Sequence, residues 1–286
     1  MYKYLDKLNT SLINIGHVSL DSRWDYDNVI SSFTRLYYID EGAARVYHHN
    51  EVFDLKPGYM YLIPSFTYCR YKCDEFMSQY YVSFFEEVGD GISVYNLMKF
   101  NYKVKGSEQD LRNFKRLLAL NPDRSLKNDD PEYYDNHPVL SEYQRKSEKM
   151  SSSAFLESKG LLLSLFARFI SNEEAGSKND SATAQRIMES VQYIHENMAG
   201  NLSVEHVAEV FHLHPDYYSR SFKSQIGIRP VKYIQTKRIE RAQTLLTTTS
   251  DTIPEIATKI GLSNLSYFSR LFKRHTGMSP GRFRKQ

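Results

Sequence analysis

Cysteine and tryptophan are nearly absent: the 286 residues hold Cys69, Cys73 and one tryptophan, Trp24. The two cysteines lie four apart, with no second pair and no histidine cluster nearby. They read as buried free thiols rather than as a disulfide framework or a zinc site. No run of about 18 apolar residues occurs, which excludes a membrane-spanning helix. The opening Met-Tyr-Lys-Tyr-Leu-Asp-Lys lacks the apolar core of a secretory signal, so a cytoplasmic protein without membrane contact is expected. A large excess of either charge is lacking too, at +3 net. That small figure hides an asymmetry. From Ala182 to Gln286 there are 15 Lys and Arg against 8 Asp and Glu, whereas the remainder holds 22 against 26. A basic C-terminal third on a mildly acidic body suits contact with a polyanion.

What is present in quantity is repetition. Tyr217-Tyr-Ser-Arg-Ser-Phe-Lys-Ser-Gln-Ile-Gly-Ile-Arg-Pro230 returns fifty residues later as Tyr267-Phe-Ser-Arg-Leu-Phe-Lys-Arg-His-Thr-Gly-Met-Ser-Pro280, with seven of fourteen positions identical. A match at fixed period marks a duplicated supersecondary unit. Two copies are too few for a solenoid, so one domain built from two similar motifs is expected.

Residues 1–28 carry little pattern. From Val29 the chain turns to short strand-like runs with turn punctuation: Val29–Ile39, Ala44–His48, Val52–Leu55, Tyr59–Ile63, Thr67–Lys72 and Gln79–Phe85. Such a series predicts a sandwich or barrel. Tyrosine is plentiful there, and its apolar body with one polar tip suits a pocket for a small polar molecule. Alternation puts Arg35 and Tyr37 on one strand face. Arg35, Tyr37 and Tyr61 are therefore the candidate effector-binding residues, Arg35 as the partner of a carboxylate or of sugar hydroxyls. His48 and His49, adjacent in a strand, are expected to point to opposite faces, which argues against a metal site.

A helical period starts at Ser107, with Ser107-Glu-Gln-Asp110 as a capping box and Leu111, Phe114, Leu117 and Leu118 on one face. Residues 121–138 are polar and broken by three prolines, and read as an exposed loop. Helical pattern resumes from Val139 to an apolar stripe of Phe155, Leu161, Leu162, Leu165, Phe166 and Phe169. Residues 172–183 are small, polar and non-periodic, and read as a linker.

Beyond it, Ile187, Val191, Ile194 and Met198 mark an amphipathic helix. Ser203 then caps a short helix to Val210, a turn follows, and Pro215 opens a helix that runs to Ile226 before Gly227. In the second copy Thr252-Ile-Pro-Glu255 caps a helix to Ile260, Gly261-Leu262-Ser263 forms the turn, and Asn264–Thr276 the next helix. Both are helix-turn-helix plans. At 100° per residue, Tyr218, Phe222, Phe268 and Phe272 face inward. Asp216, Ser219, Arg220 and Lys223 face outward in one copy, and Ser266, Ser269, Arg270 and Lys273 in the other. A guanidinium can bond guanine O6 and N7 together, whereas lysine more often meets phosphate. A helix from Pro230 to about Leu246 joins the two units.

The stretch PEIATKIGLSNLSYFSRLFKRHTGMSPGRFR is similar to the signature of the AraC/XylS transcription regulators, and RLYYIDEGAARVYHHNEVFDLKPGYMYLIPSFTY resembles their N-terminal, cupin-like effector domain. The resemblance implies an α+β chain. A cupin-like β-barrel spans 1–106, helices at 107–171 serve contacts between subunits of a homodimer or simply cover the barrel, and 172–183 links to an all-α DNA-binding domain at 184–286. It further implies that both second helices enter major grooves, with Asp216, Ser219, Arg220, Leu265, Ser266 and Arg270 as readers. Double-stranded promoter DNA, a small-molecule effector and RNA polymerase would be the partners, and activation the outcome. No catalytic residue, cofactor or metal is expected. A protein partner in place of the small effector is the alternative. A repair enzyme fused to the same module would need a reactive cysteine set that Cys69 and Cys73 do not form.

Overall fold

A computed structural model describes residues 5–49, 51–88, 93–96, 98–128, 130, 150–171, 182–200 and 202–285. The chain divides into two compact units, 1–89 with 98–172, and 90–97 with 173–286.

The first unit is two antiparallel sheets. One has the order β1 (Leu8–Asp21), β8 (Phe76–Val88), β3 (Thr34–Gly42), β6 (Tyr59–Ile63) and β9 (Lys103–Lys105). The other runs β2 (Asp25–Val29), β7 (Cys69–Lys72), β4 (Ala44–His48) and β5 (Glu51–Leu55). Side chains alternate along each strand, so both inner faces contribute to one core that includes Trp24, Tyr37, Val46, Leu55, Ile63, Tyr71 and Met77. Cys69 and Cys73 lie in it as free, buried thiols. Helix α1 (Glu108–Leu120) starts on the Ser107–Asp110 capping box and presents Phe114 to Tyr38 and Tyr80. Helix α2 (Ser152–Ala167) buries Leu162, Leu165 and Phe166, and Phe166 packs edge-on to Phe84. Each fully buried ring contributes about 1.5–3 kcal/mol over an exposed one.

Three expectations fail here, and a fourth holds only in part. Strand β1 lies where no pattern was read, because its register shifts between Leu12 and Asn14 and residues 13–16 are buried on both faces, which erases alternation. The run from Val29 to Ile39 is two strands of different sheets, not one. His48 and His49 do not diverge. His49 leaves the strand at φ 51°, and the two Nδ1 atoms stand 2.8 Å apart against Phe53 and Tyr102. Burial, with His49 and Arg35 nearby, pulls the His48 pKa down to about 3. Finally, residues 121–128 are irregular and mostly exposed, as expected of a loop, but they are tied to the sheet. Ile15 N–H donates to Arg124 O at 3.1 Å, and Arg124 Nη1 donates to Leu12 O at 2.8 Å. These residues dock on β1 where its register shifts. Residues 131–149, including the start of the helical pattern expected from Val139, lie outside the described residues.

The second unit is helical: α3 (Ala182–Glu196), α4 (Val204–Val210), α5 (Pro215–Ile226), α6 (Pro230–Thr248), α7 (Ile253–Lys259), α8 (Leu265–Thr276) and α9 (Pro280–Lys285). The last two residues of the expected linker, Ala182 and Thr183, are helical, and 172–181 lie outside the described residues. Ile187, Val191 and Ile194 of α3 pack with Val207, Tyr218, Phe222 and Ile234, and form the first core. Leu245, Ile256, Phe268, Leu271 and Phe272 belong to the second. Helix α6 contributes to both, Ile234 to the first and Ala242, Leu245 and Leu246 to the second.

Candidate nucleic-acid interface and ligand cavity

Both turns have one geometry despite their different residues. His212 N–H donates to Glu209 O at 3.0 Å and Leu213 N–H to Ala208 O at 2.9 Å; Gly261 N–H donates to Thr258 O at 3.0 Å and Leu262 N–H to Ala257 O at 2.8 Å. His212 holds φ 53° and Gly261 φ 70°, the left-handed conformation that such a helix end requires. The extra residue of the second turn, Ser263, comes after this shared bend. Asn264 then caps α8 by accepting from Tyr267 N at 2.9 Å, and His214 caps α5 from the matching place. Gly227 at φ 85° and Gly277 at φ 80° close the two helices alike.

The duplication runs further than the fourteen-residue string. Phe222 meets Tyr233 edge-on at 5.4 Å between centroids, and Phe272 meets Phe283 at 5.3 Å. The first turns of α6 and α9 are therefore counterparts, each offering one ring behind a recognition-type helix. Where copy one carries hydroxyls it ties them down. Tyr218 pairs with Ser190 at 3.1 Å and Tyr233 with His195 at 2.8 Å. Copy two has Phe268 and Phe283 at those places and forms no such bonds. Burial pushes the Tyr218 hydroxyl up to about 12.

With Tyr218 and Phe222, and Phe268, Leu271 and Phe272, turned into the cores, the opposite arcs are open. Asp216, Arg220, Lys223, Ser266, Arg270 and Lys273 are exposed, Ser219 and Ser269 half-buried, and Leu265 is 42% exposed. Among the described residues, Lys237 pairs with Glu240 and Lys259 with Asp251, but Arg220, Lys223, Arg270 and Lys273 enter no ion pair. Two residues that pattern reading passed over stand beside them. Tyr217 and Tyr267 are exposed, and each hydroxyl reaches back to the helix before its unit, to Thr183 Oγ1 at 3.2 Å and to Gln235 Nε2 at 2.9 Å. Hydrogen bonds with Thr183 and Ser221 lower the Tyr217 pKa. The repeated Tyr at the head of the string was the available signal.

In the first unit a cavity of about 410 Å³ opens between the strands. Register builds its wall: Arg35 pairs with Ser83, Tyr37 with Tyr81, and Val18 with Gln79 across β3, β8 and β1. Arg35 is 1% exposed and its Nη1 donates to the Tyr71 hydroxyl, with the guanidinium 5.6 Å from that ring. Trp24 stacks on Tyr71 at 4.7 Å between centroids, and both rings line the cavity. Arg35 and Tyr37 both line the cavity. Tyr61 shares their sheet face but does not, because its hydroxyl donates to Asp54 O at 2.6 Å and accepts from Lys56 N at 3.0 Å. Ser125, Leu126, Lys127 and Asn128, from the docked segment, supply a wall that pattern reading placed in solvent. Gly16 makes this possible. A Cβ there would lie 2.3 Å from the Tyr81 hydroxyl, which crosses β1 to accept from Leu126 N at 2.7 Å.

Residues 207–286 match the family described as "Helix-turn-helix domain". The chain is 39% identical over 95 residues to the uncharacterized HTH-type transcriptional regulator YobQ of Bacillus subtilis, which covers 33% of this chain and 39% of that protein. It is 37% identical over 100 residues to the arabinose operon regulatory protein of Escherichia coli, 35% of this chain and 34% of that one. Against the uncharacterized HTH-type transcriptional regulator YisR of Bacillus subtilis it is 25% identical over 257 residues, 87% and 85% of the two chains. The matched part thus spans about two fifths of YobQ and a third of the arabinose regulator.

Proposed function

Because the chain carries an AraC-type helix-turn-helix domain, we propose that it is a transcriptional regulator that binds promoter DNA through α5 and α8 and answers to a small molecule held in its N-terminal cavity. Arg220 and Arg270, with Ser219, Ser266 and Ser269, read base edges; Lys223 and Lys273 meet phosphate; Asp216 and Leu265 flank the readers and set preference by what they exclude. The observation that carries this is the pair of Arg and Lys side chains, exposed on both helices and engaged in no ion pair. A polyanion supplies the charge that they lack. The 19 residues of α6 span about 28 Å at about 1.5 Å each, close to the 34 Å or so between successive major grooves on one face. One chain then reads an asymmetric site of about two turns.

The protein acts by binding, not by catalysis, and as an activator it touches RNA polymerase, with the helices after the sheets serving a homodimer. Binding of fluorescent DNA fragments from upstream of its own and neighbouring genes tests the interface. One fragment should bind at least about a thousandfold tighter than scrambled DNA. The double variant Arg220→Ala/Arg270→Ala should lose that preference, and retention of it would remove the two helices from the role of readers.

A further inference from the structure

The cavity's lining limits what can occupy it. Basic groups are present, Arg35 and Lys127, while among the described residues none that lines it is Asp or Glu. His17 also borders the cavity, but its Nε2 is engaged with Asp40 at 2.8 Å and Ser78 at 3.1 Å. Arg35, 1% exposed, lines the cavity among Trp24, Tyr37, Tyr71 and Tyr81, so its guanidinium faces a low-dielectric space. Gln79, 4% exposed and on the same wall, presents an amide oxygen with no hydrogen-bond partner. A buried acceptor of that kind is satisfied by a donor that the occupant brings. Stacked aromatic rings fit a flat or C–H-faced ring, and about 410 Å³ lies at the small end of the range of about 300–1,000 Å³ for small-molecule sites.

From these we infer that the cavity takes a small ring-shaped hydroxy acid, with its carboxylate on Arg35 and a hydroxyl donating to Gln79. The inference rests on the reading of this cavity as the effector site and adds the ligand's class. A planar guanidinium meets a carboxylate with two parallel bonds, which a neutral ligand cannot supply. Sugar acids and hydroxylated aromatic acids share this chemistry.

Matched pairs that differ only in the carboxylate test it: D-galacturonate against D-galactose, and 4-hydroxybenzoate against 4-hydroxybenzyl alcohol. At least one acid should raise the melting temperature of the full chain saturably, by about 5 °C or more at about a hundred times its dissociation constant, while its neutral counterpart does not. Arg35→Gln should abolish the shift. Because Arg35 is buried, Lys127→Ala at an exposed position serves beside it and should weaken the acid's binding severalfold. A neutral compound that binds as tightly as its acid overturns the carboxylate assignment and leaves a ligand site standing. Silence from both acids overturns it as well. An acid that binds but leaves DNA affinity unchanged supports the ligand class and removes instead the proposed control of DNA binding.

Discussion

Arg238 stands where a side chain on Gly261 would have to begin. A Cβ on Gly261 would lie 2.7 Å from Arg238 Nη2 and 2.6 Å from Met198 O, the carbonyl to which that guanidinium donates at 3.0 Å. Arg238, on α6, also donates to Gly200 O at 2.6 Å, so the spacer helix, the end of the first helix and the second turn share one bonded corner. Burial lowers the Arg238 pKa. At Gly261→Ala the left-handed φ alone costs about 1–2 kcal/mol, and the contacts add to it. We expect a loss of about 2–4 kcal/mol, read as a lower urea midpoint.

His212 occupies the matching bend without a glycine. It is exposed and holds a φ of 53°, which costs a residue with a Cβ more than it costs glycine. His212→Gly should therefore be neutral or stabilising by up to about 1 kcal/mol, the reverse in sign of Gly261→Ala. A destabilisation by His212→Gly, measured in the same urea titration, would show that the imidazole holds the turn.

On DNA the two exposed cations of one helix should behave differently. Arg270→Ala should cost about 1–3 kcal/mol on the cognate site and relax preference at one base pair. Lys273→Ala should weaken binding on all sequences alike and flatten the slope of log affinity against log salt by about 1. Anisotropy titrations at several salt concentrations read both, and an unchanged slope would deny Lys273 its phosphate.

His195 makes the helical unit sensitive to acid. Burial, with Lys237 adding repulsion, pulls its pKa down to about 3, whereas the unfolded chain titrates near about 6.5. The native state stays neutral while the unfolded state takes up a proton. The stability is therefore complete above about 6.5 and falls as the pH drops from there toward 3, by up to about 1.4 kcal/mol per unit. His195→Gln should remove this share, so that the loss of stability between pH 7 and pH 5 is smaller in the variant than in the wild type. His48 follows the same direction in the other unit and is common to both proteins.

Tyr81→Phe tests the docked segment. It strands the Leu126 amide, which the Tyr81 hydroxyl accepts at 2.7 Å. Hydrogen exchange at Leu126 should quicken at least about tenfold, the equivalent of about 1.4 kcal/mol, while the helical unit should keep its rates. Equal rates in wild type and variant would mean that the bonds of Arg124 and Ser125 to β1 hold the segment without it.

How much was legible follows from how far apart the determining contacts lie. Capping residues, a 3.6-residue period, Gly227 and Gly277 after the helices and a fifty-residue repeat are all local signals, so the helical unit could be read along the chain. Even there the reading stopped at position fourteen of the repeat, because Tyr233 and Phe283 differ in letter and only their equivalent rings against Phe222 and Phe272 show them as counterparts. In the sheet unit β4 to β6, short apolar and β-branched runs bounded by turn residues, were legible, and β4 alternates cleanly. Strand β1 was not, since residues 121–128 cover it from more than a hundred positions away.

Sequence alone thus determined the two recognition-type helices, the cations they expose and the grouping of Arg35 with Tyr37 on one strand face, because each depends on a backbone period acting over a few residues. Only the tertiary structure decided which tyrosines see the cavity, that Gly16 yields its space to Tyr81, and that Ser125 to Asn128, though mostly exposed, wall the cavity. Those outcomes come from close approach between segments distant in the chain, and no local period encodes which segment will arrive.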